Sequence, residues 1–181
     1  MYKRVTAAVA AGIKNNEFED GARMERLDMA FAQRYFDGYD AYYAGGACTA
    51  SWKNTFDACK NNSLIVLQHL LMGINTHINL DLAIAAAVAA PGYQINALQN
   101  DFYKINSVIS SLVDDVQESL SKVWWPMRFI SKIANGKEEA VLNFSIDKAR
   151  TASWANAVLL ANMNDAQRSA YIQQMDGMVA K

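Results

Sequence analysis

A histidine and an aspartate one helical turn apart are the residues best able to do chemistry. His77 and Asp81 lie four residues apart in an apolar run between Ser63 and Ala90. On an α-helix this spacing places both side chains on one face. There the carboxylate can fix the imidazole tautomer and support its protonated form. The pair therefore predicts either an acid–base dyad or a structural pair, because a lone buried charge is unfavourable.

A second polar stripe lies on the opposite face of the same predicted helix. At about 100° per residue, Gln68, Asn75 and Asn79 share one face, His77 points away from them, and His69 lies on the flank. Buried amides need hydrogen-bond partners, so we expect this stripe to bond to neighbouring helices. On a later helix, Arg150 and Trp154 are also four residues apart. Their spacing allows the guanidinium to stack on the indole or to anchor an anion. The candidate ligand-binding residues are His69, Asn75, Asn79, Arg150 and Trp154.

A metal site at His77 and Asp81 is a minor alternative. Asp28, Asp114 or Asp115 could approach such a site from other helices. The chain lacks the Glu-x-x-His and His-Glu-x-x-His patterns of helical metal centres. It also has no Gly-x-Ser-x-Gly motif, phosphate-binding loop or dinucleotide fingerprint. We therefore predict no metal and no cofactor.

Long helices must position these side chains. Two prolines and nine glycines in 181 residues favour uninterrupted helices over a turn-rich β fold. Apolar periodicity, glycine pairs, prolines and capping residues predict helices near 18–44, 52–60, 63–90, 95–123, 143–161 and from Asn164 onward, with short helical pieces from 126 to 136. The prediction is a single all-α domain of six to eight helices around a long central helix, with residues 1–17 as an amphipathic first helix, a mobile segment or a processed leader.

Composition restricts the class of partner. The formal net charge is −1, and no run of lysine and arginine occurs, which argues against nucleic acid. Residues 61–100 contain one formal charge, yet the polar side chains there argue against a membrane span. Two cysteines are too few for a disulfide framework. We expect a soluble, cytoplasmic monomer or homodimer that binds a small apolar or anionic ligand.

The central segment also resembles a known family. The run from Leu70 to Leu82 is similar to the Asn-x-His-Ile-Asn-x-Asp-Leu helix of an uncharacterised bacterial family, a domain of unknown function. Further similarity lies in residues 26–39, in Trp52 with Phe56, in residues 101–108, and in Arg150 with Trp154. Thr76 and the alanine-rich turn after Leu82 depart from the family pattern without touching the His77–Asp81 pair. The resemblance implies an all-helical domain and supplies no activity.

Two hypotheses of different classes follow for function. One is a domain that binds a small molecule or a partner and contains a structural His77–Asp81 pair. The alternative is a cofactor-independent acid–base enzyme of hydrolase or lyase type. In the enzyme His77 would be the base, Asp81 its orienting group and Arg150 an anion partner. A cleft that opens onto His77 would favour the enzyme, whereas a walled-off imidazole would favour the binding domain.

Overall fold

The described part of the protein is predominantly helical. A computed structural model describes the backbone of residues 2–64, 66–123 and 137–181, and the side-chain environments of 3–64, 66, 68–109 and 146–181. Across those residues there are seven helices, counting the central one once, and no strand. The predicted all-α class is therefore confirmed. The predicted short helical pieces from 126 to 136 lie outside the described residues.

The helices follow one another with short connections. Their bounds are α1 Tyr2–Lys14, α2 Gly21–Tyr43, α3 Ala50–Ala58, α4 Val66–Thr76, α5 Leu82–Ala89, α6 Ile95–Val123, α7 Lys137–Ala161 and α8 Asp165–Val179. A π-helical turn, His77–Asp81, joins α4 to α5, and a 3₁₀ turn, Gly92–Gln94, precedes α6.

Local sequence signals account for several helix ends. Gly45 ends α2 with a φ of 72°, a left-handed conformation that glycine adopts at little cost. Asn164 caps α8 and forms a complete capping box with Gln167, as the sequence predicts. Pro91 follows the end of the central helix, and α6 has the predicted bounds.

The central helix contains a π-helical turn that its sequence does not predict. The N–H of Leu82 bonds to the carbonyl oxygen of His77, five residues earlier, and this widens the backbone ring. Such π turns are rare and often lie at functional sites. After the turn, every residue of α5 except Val88 is buried.

The central helix is long and apolar enough to count as one candidate membrane span, Gln68–Ala89. Within the protein, 67% of the most apolar window of this span is buried.

The chain divides into two compact units. One contains Met1–Glu25 and Leu98–Lys148, and the other contains Arg26–Ala97 and Ala149–Lys181. The single domain expected from the sequence stays a prediction.

Carboxylates from distant residues hold the start of a helix in each unit. In the first, buried Asp101 accepts hydrogen bonds from the backbone N–H groups of Glu19 and Asp20 at 2.8 and 3.1 Å, just before α2. It also pairs with Arg23 Nη2 at 3.1 Å. The N–H groups at a helix start lack partners within the helix, so these bonds satisfy donors that would otherwise be orphaned.

The second unit uses the same device at α3. Asp176 of α8 accepts hydrogen bonds from the N–H groups of Ala50 and Ser51 and from the Ser51 hydroxyl, at 2.7, 2.9 and 2.6 Å. The carboxylate also lies where the helix dipole favours negative charge. These bonds fix α3 against α8, and α3 carries Trp52 into the candidate site.

Candidate functional site

Asp81 is the centre of the polar core. Its side chain is 0% exposed and lies within hydrogen-bond distance of three donors from three elements. His77 Nδ1 lies 2.9 Å from Oδ2, the Trp52 indole Nε1 donates to the same oxygen at 2.8 Å, and Arg34 Nε donates to Oδ1 at 3.3 Å. The pair predicted from the spacing of His77 and Asp81 is thus formed. The carboxylate links α2, α3 and the π turn.

Aromatic rings enclose the imidazole of His77. The Phe31 ring stacks on it with centroids 3.7 Å apart and planes 13° apart. The rings of Tyr35 and Trp52 lie at 6.2 and 5.7 Å. His77 is 3% exposed. The imidazole is therefore packed as a core side chain, with one nitrogen on Asp81 and one face covered by Phe31.

Two partners of Asp81 were not among the sequence-predicted site residues. Arg34 forms an ion pair with Asp81 and keeps 30% of its side chain exposed. The sequence predicts Arg150 as an anion partner; in the structure Arg150 is buried in α7. Trp52 belongs to the family resemblance but not to the predicted site. Neither Arg34 nor Trp52 is at helical spacing from Asp81, so only the tertiary fold reveals their roles.

The second polar stripe lies on another side of the helix. Asn79 Nδ2 donates to Asn75 Oδ1 at 2.8 Å, and Asn75 Nδ2 donates to the Val179 carbonyl oxygen at 3.2 Å. Asn75 thus bonds to a neighbouring helix, as expected, whereas Asn79 bonds within its own helix, and the expected burial of the amides is wrong for Gln68 and Asn75. Asn75 is exposed, unlike His77. The two stripes thus have different environments, one buried and one facing solvent.

The Asn75 side opens into a groove of about 350 Å³. Its walls come from the central helix, α7, α8 and the residues that follow α8. The groove is lined by Asn75, Asn79, Asn156, Met175, Met178, Val179 and Lys181. Neither His77 nor Asp81 lines it. The structure therefore brings Asn75 and Asn79 together at an open site and keeps them apart from the His77–Asp81 pair.

The other predicted ligand-binding residues do not line this groove. His69 is half-buried, and its Nδ1 has no hydrogen-bond partner in the described part of the chain. Trp154 is buried in α7, as Arg150 is. A Cβ added at Gly73, one turn before His77, would meet no atom within 4 Å. The glycine is therefore not needed for the close approach of a described helix.

No metal centre is found where the structure can be described. Within those residues no three His, Cys, Asp or Glu side chains form a group able to hold an ion. Asp28 is half-buried, and burial raises the pKa of its carboxyl above its ordinary value. The side chains of Asp114 and Asp115, the other two candidates, lie outside the described residues.

An exposed acidic group lies on α3. Asp57 accepts hydrogen bonds from Lys53 Nζ and the Tyr42 hydroxyl, both at 2.5 Å, and Lys60 lies at 3.4 Å. The hydrogen bond from Lys53 and then that from Tyr42 lower the pKa of Asp57 to about 2. A carboxyl this acidic does not act as a proton shuttle near neutral pH. Asp57 is therefore an ion-paired surface side chain.

Comparison with known proteins gives a family and no activity. Neither the curated proteins nor the solved structures contain a match to the chain. The model of DUF5995, a family of unknown function, matches residues 1–181. This agrees with the resemblance to an uncharacterised family and with the helical structure of the described residues. The chain belongs to the DUF5995 family.

Proposed function

We propose that the chain is a small-molecule-binding helical domain whose binding site is the groove beside Asn75 and Asn79. In this proposal the His77–Asp81 pair is structural. The observation that supports this proposal is the separation of the two polar stripes of the central helix. One ends in a groove of about 350 Å³, and the other is buried beneath aromatic rings. Ligand pockets commonly have volumes of roughly 300–1,000 Å³, so this groove suits a small ligand.

The groove offers donors to an anionic group. Asn156 Oδ1 accepts a hydrogen bond from the Tyr171 hydroxyl at 2.8 Å. This bond orients the Asn156 amide and leaves its Nδ2 group without a partner among the described residues. Lys181, a residue with a cationic side chain, belongs to the same lining. An amide donor and a cation together favour a carboxylate or phosphate group.

The opposite part of the lining is apolar. Met175, Met178 and Val179 lie along α8, and Met178 is largely exposed. Methionine side chains are flexible and polarisable, so they adapt to ligands of different shape. An exposed apolar surface beside polar donors favours an amphipathic ligand. The chemistry that fits is a small carboxylate with a short alkyl chain.

Acid–base catalysis by His77 is the second candidate. Two features favour it: His77 Nδ1 lies 2.9 Å from Asp81, and both residues belong to a π turn. A catalytic imidazole must also reach its substrate. His77 is 3% exposed and lies against Phe31. We therefore favour ligand binding over catalysis as the function.

Hexanoate is a suitable probe of the groove. We expect calorimetric titration to show saturable binding of sodium hexanoate at millimolar concentrations. Asn156→Ala and Lys181→Ala should each weaken it by about fivefold, because each removes one hydrogen bond or charge from a solvent-exposed site. Asn162→Ala is the matched control, since Asn162 is an exposed asparagine of the same region outside the groove. Its affinity should equal that of the unmodified protein.

Two results would contradict the proposal. One is the absence of saturable binding of hexanoate and of hexyl phosphate up to about 10 mM, a concentration at which even weak ligands bind. The other is equal affinity of the unmodified protein and both groove variants, since binding would then occur elsewhere.

A further inference from the structure

An exposed apolar stripe runs along α2. It consists of the exposed Met29, Phe36, Tyr39 and Tyr43 and the half-buried Ala32, and we name it the α2 seam. The spacings are three, four, three and four residues, so the stripe follows a seven-residue repeat. Met29 is 67% exposed, Phe36 54%, Tyr39 41% and Tyr43 61%. Apolar side chains at this repeat are the contact surface of paired helices.

Charges beside the seam indicate which helix would cover it. Arg26, Gln33 and Asp40 follow at seven-residue intervals along its exposed flank. A second copy of α2 can pack antiparallel in the register that places Gln33 opposite Gln33 of the second copy. In this register Arg26 lies opposite Asp40 of the second copy, and the two-fold axis repeats the pair. Opposite charges on such flanking positions set the partner and the orientation of paired helices.

A parallel arrangement offers no such pairing. On the other flank of the seam are Asp28, Tyr35 and Tyr42. Parallel packing places Asp28 opposite Gln33, and Tyr35 opposite Asp40, so no ion pair forms. The charges therefore favour the antiparallel arrangement.

Side-chain sizes also match in the antiparallel register. The register that places Arg26 opposite Asp40 also places Phe36 opposite Ala32 of the second copy. It places Met29 opposite Tyr39. A large ring then meets the small alanine side chain twice, and no layer pairs two large rings. Alternation of large and small side chains is what allows facing layers to interdigitate.

We propose that the chain forms a two-fold symmetric homodimer through antiparallel contact of the α2 seam with the seam of a second copy. This surface is separate from the groove and does not depend on the proposed ligand. A two-fold contact uses the same patch on both subunits, as the reciprocal Arg26–Asp40 pairs require. The dimer would cover the four exposed aromatic and methionine side chains of each subunit.

Sedimentation velocity of the full chain tests the dimer. The expected mass is twice 20.0 kDa at micromolar concentration. Phe36→Asp should raise the dimer dissociation constant at least about 30-fold, because it places a charge at the centre of an apolar contact. Leu159→Asp is the matched control, since Leu159 is exposed on α7 outside the seam. It should leave the dissociation constant unchanged. Circular dichroism verifies that both variants fold.

Charge reversal tests the orientation. Arg26→Asp and Asp40→Arg should each weaken the dimer by roughly fivefold, since both copies of the ion pair are lost. The double variant Arg26→Asp/Asp40→Arg should restore the original constant. A mass of 20.0 kDa at all concentrations up to about 100 µM would overturn the dimer, because specific dimers are stable well below this concentration. A dimer without rescue in the double variant would overturn the antiparallel contact.

Discussion

Asp81→Ala should lower the free energy of unfolding by about 3–5 kcal/mol, because it leaves buried hydrogen-bond donors unpaired at a cost of about 1–3 kcal/mol each. The change removes the acceptor shared by His77, Trp52 and Arg34. Water cannot replace it readily, because the carboxylate is 0% exposed. Urea unfolding followed by circular dichroism gives the measurement. Asp165→Ala, at a fully exposed carboxylate on α8, is the control and should stay within about 0.5 kcal/mol.

Apolar replacement should recover part of that loss. In His77→Leu/Asp81→Leu neither member of the pair is left alone, and Arg34 can turn its half-exposed side chain toward water. The Trp52 indole N–H would still lack an acceptor, at a cost of about 1–3 kcal/mol. Adding Trp52→Phe removes this unpaired donor but also leaves a cavity in the core, so it should recover only part of the remainder. If Asp81→Ala costs about 1 kcal/mol or less, water reaches the pair, and the acid–base enzyme becomes the better hypothesis.

Asp101→Ala should cost about 3 kcal/mol, since it removes the acceptor of two backbone N–H groups and of Arg23 from a buried position. The loss of protection against hydrogen exchange should be local at first. Hydrogen exchange should accelerate at Glu19 and Asp20, which lead into α2, before it accelerates in α5. Gln99→Ala, at an exposed position of α6, is the control and should change exchange little. A loss under 1 kcal/mol with unchanged exchange would show that Asp101 does not anchor the helix start.

Local periodicity predicted much of the polar core. The i, i+4 spacing of His77 with Asp81 predicted the observed hydrogen-bonded pair, whereas the bond between Asn79 and Asn75 within one helix was not predicted. The placement of the two stripes on different sides followed from the helical repeat alone. Capping residues and helix breakers similarly located most helix ends, because those signals act within a few residues.

The partners that complete the core could not be predicted in this way. Arg34 and Trp52 lie 47 and 29 residues from Asp81. The Asp101 and Asp176 caps span even longer separations, up to 126 residues. These contacts depend on how helices pack, which no local pattern encodes. The π turn also lacks a sequence signature. Three hydrogen bonds converge on its last residue, Asp81.

An NMR titration of the unmodified protein with hexanoate distinguishes a binding groove from a catalytic pair. It records the side-chain amide signals of the asparagines and the imidazole signals of His77 in the same experiment. We expect the side-chain amide signals of Asn75, Asn79 and Asn156 to shift with a common saturation curve, while the imidazole signals of His77 stay in place. Saturable shifts centred on the His77 imidazole, with the three asparagine amides unchanged, would contradict the assignment of ligand binding to the groove and of a structural role to the His77–Asp81 pair.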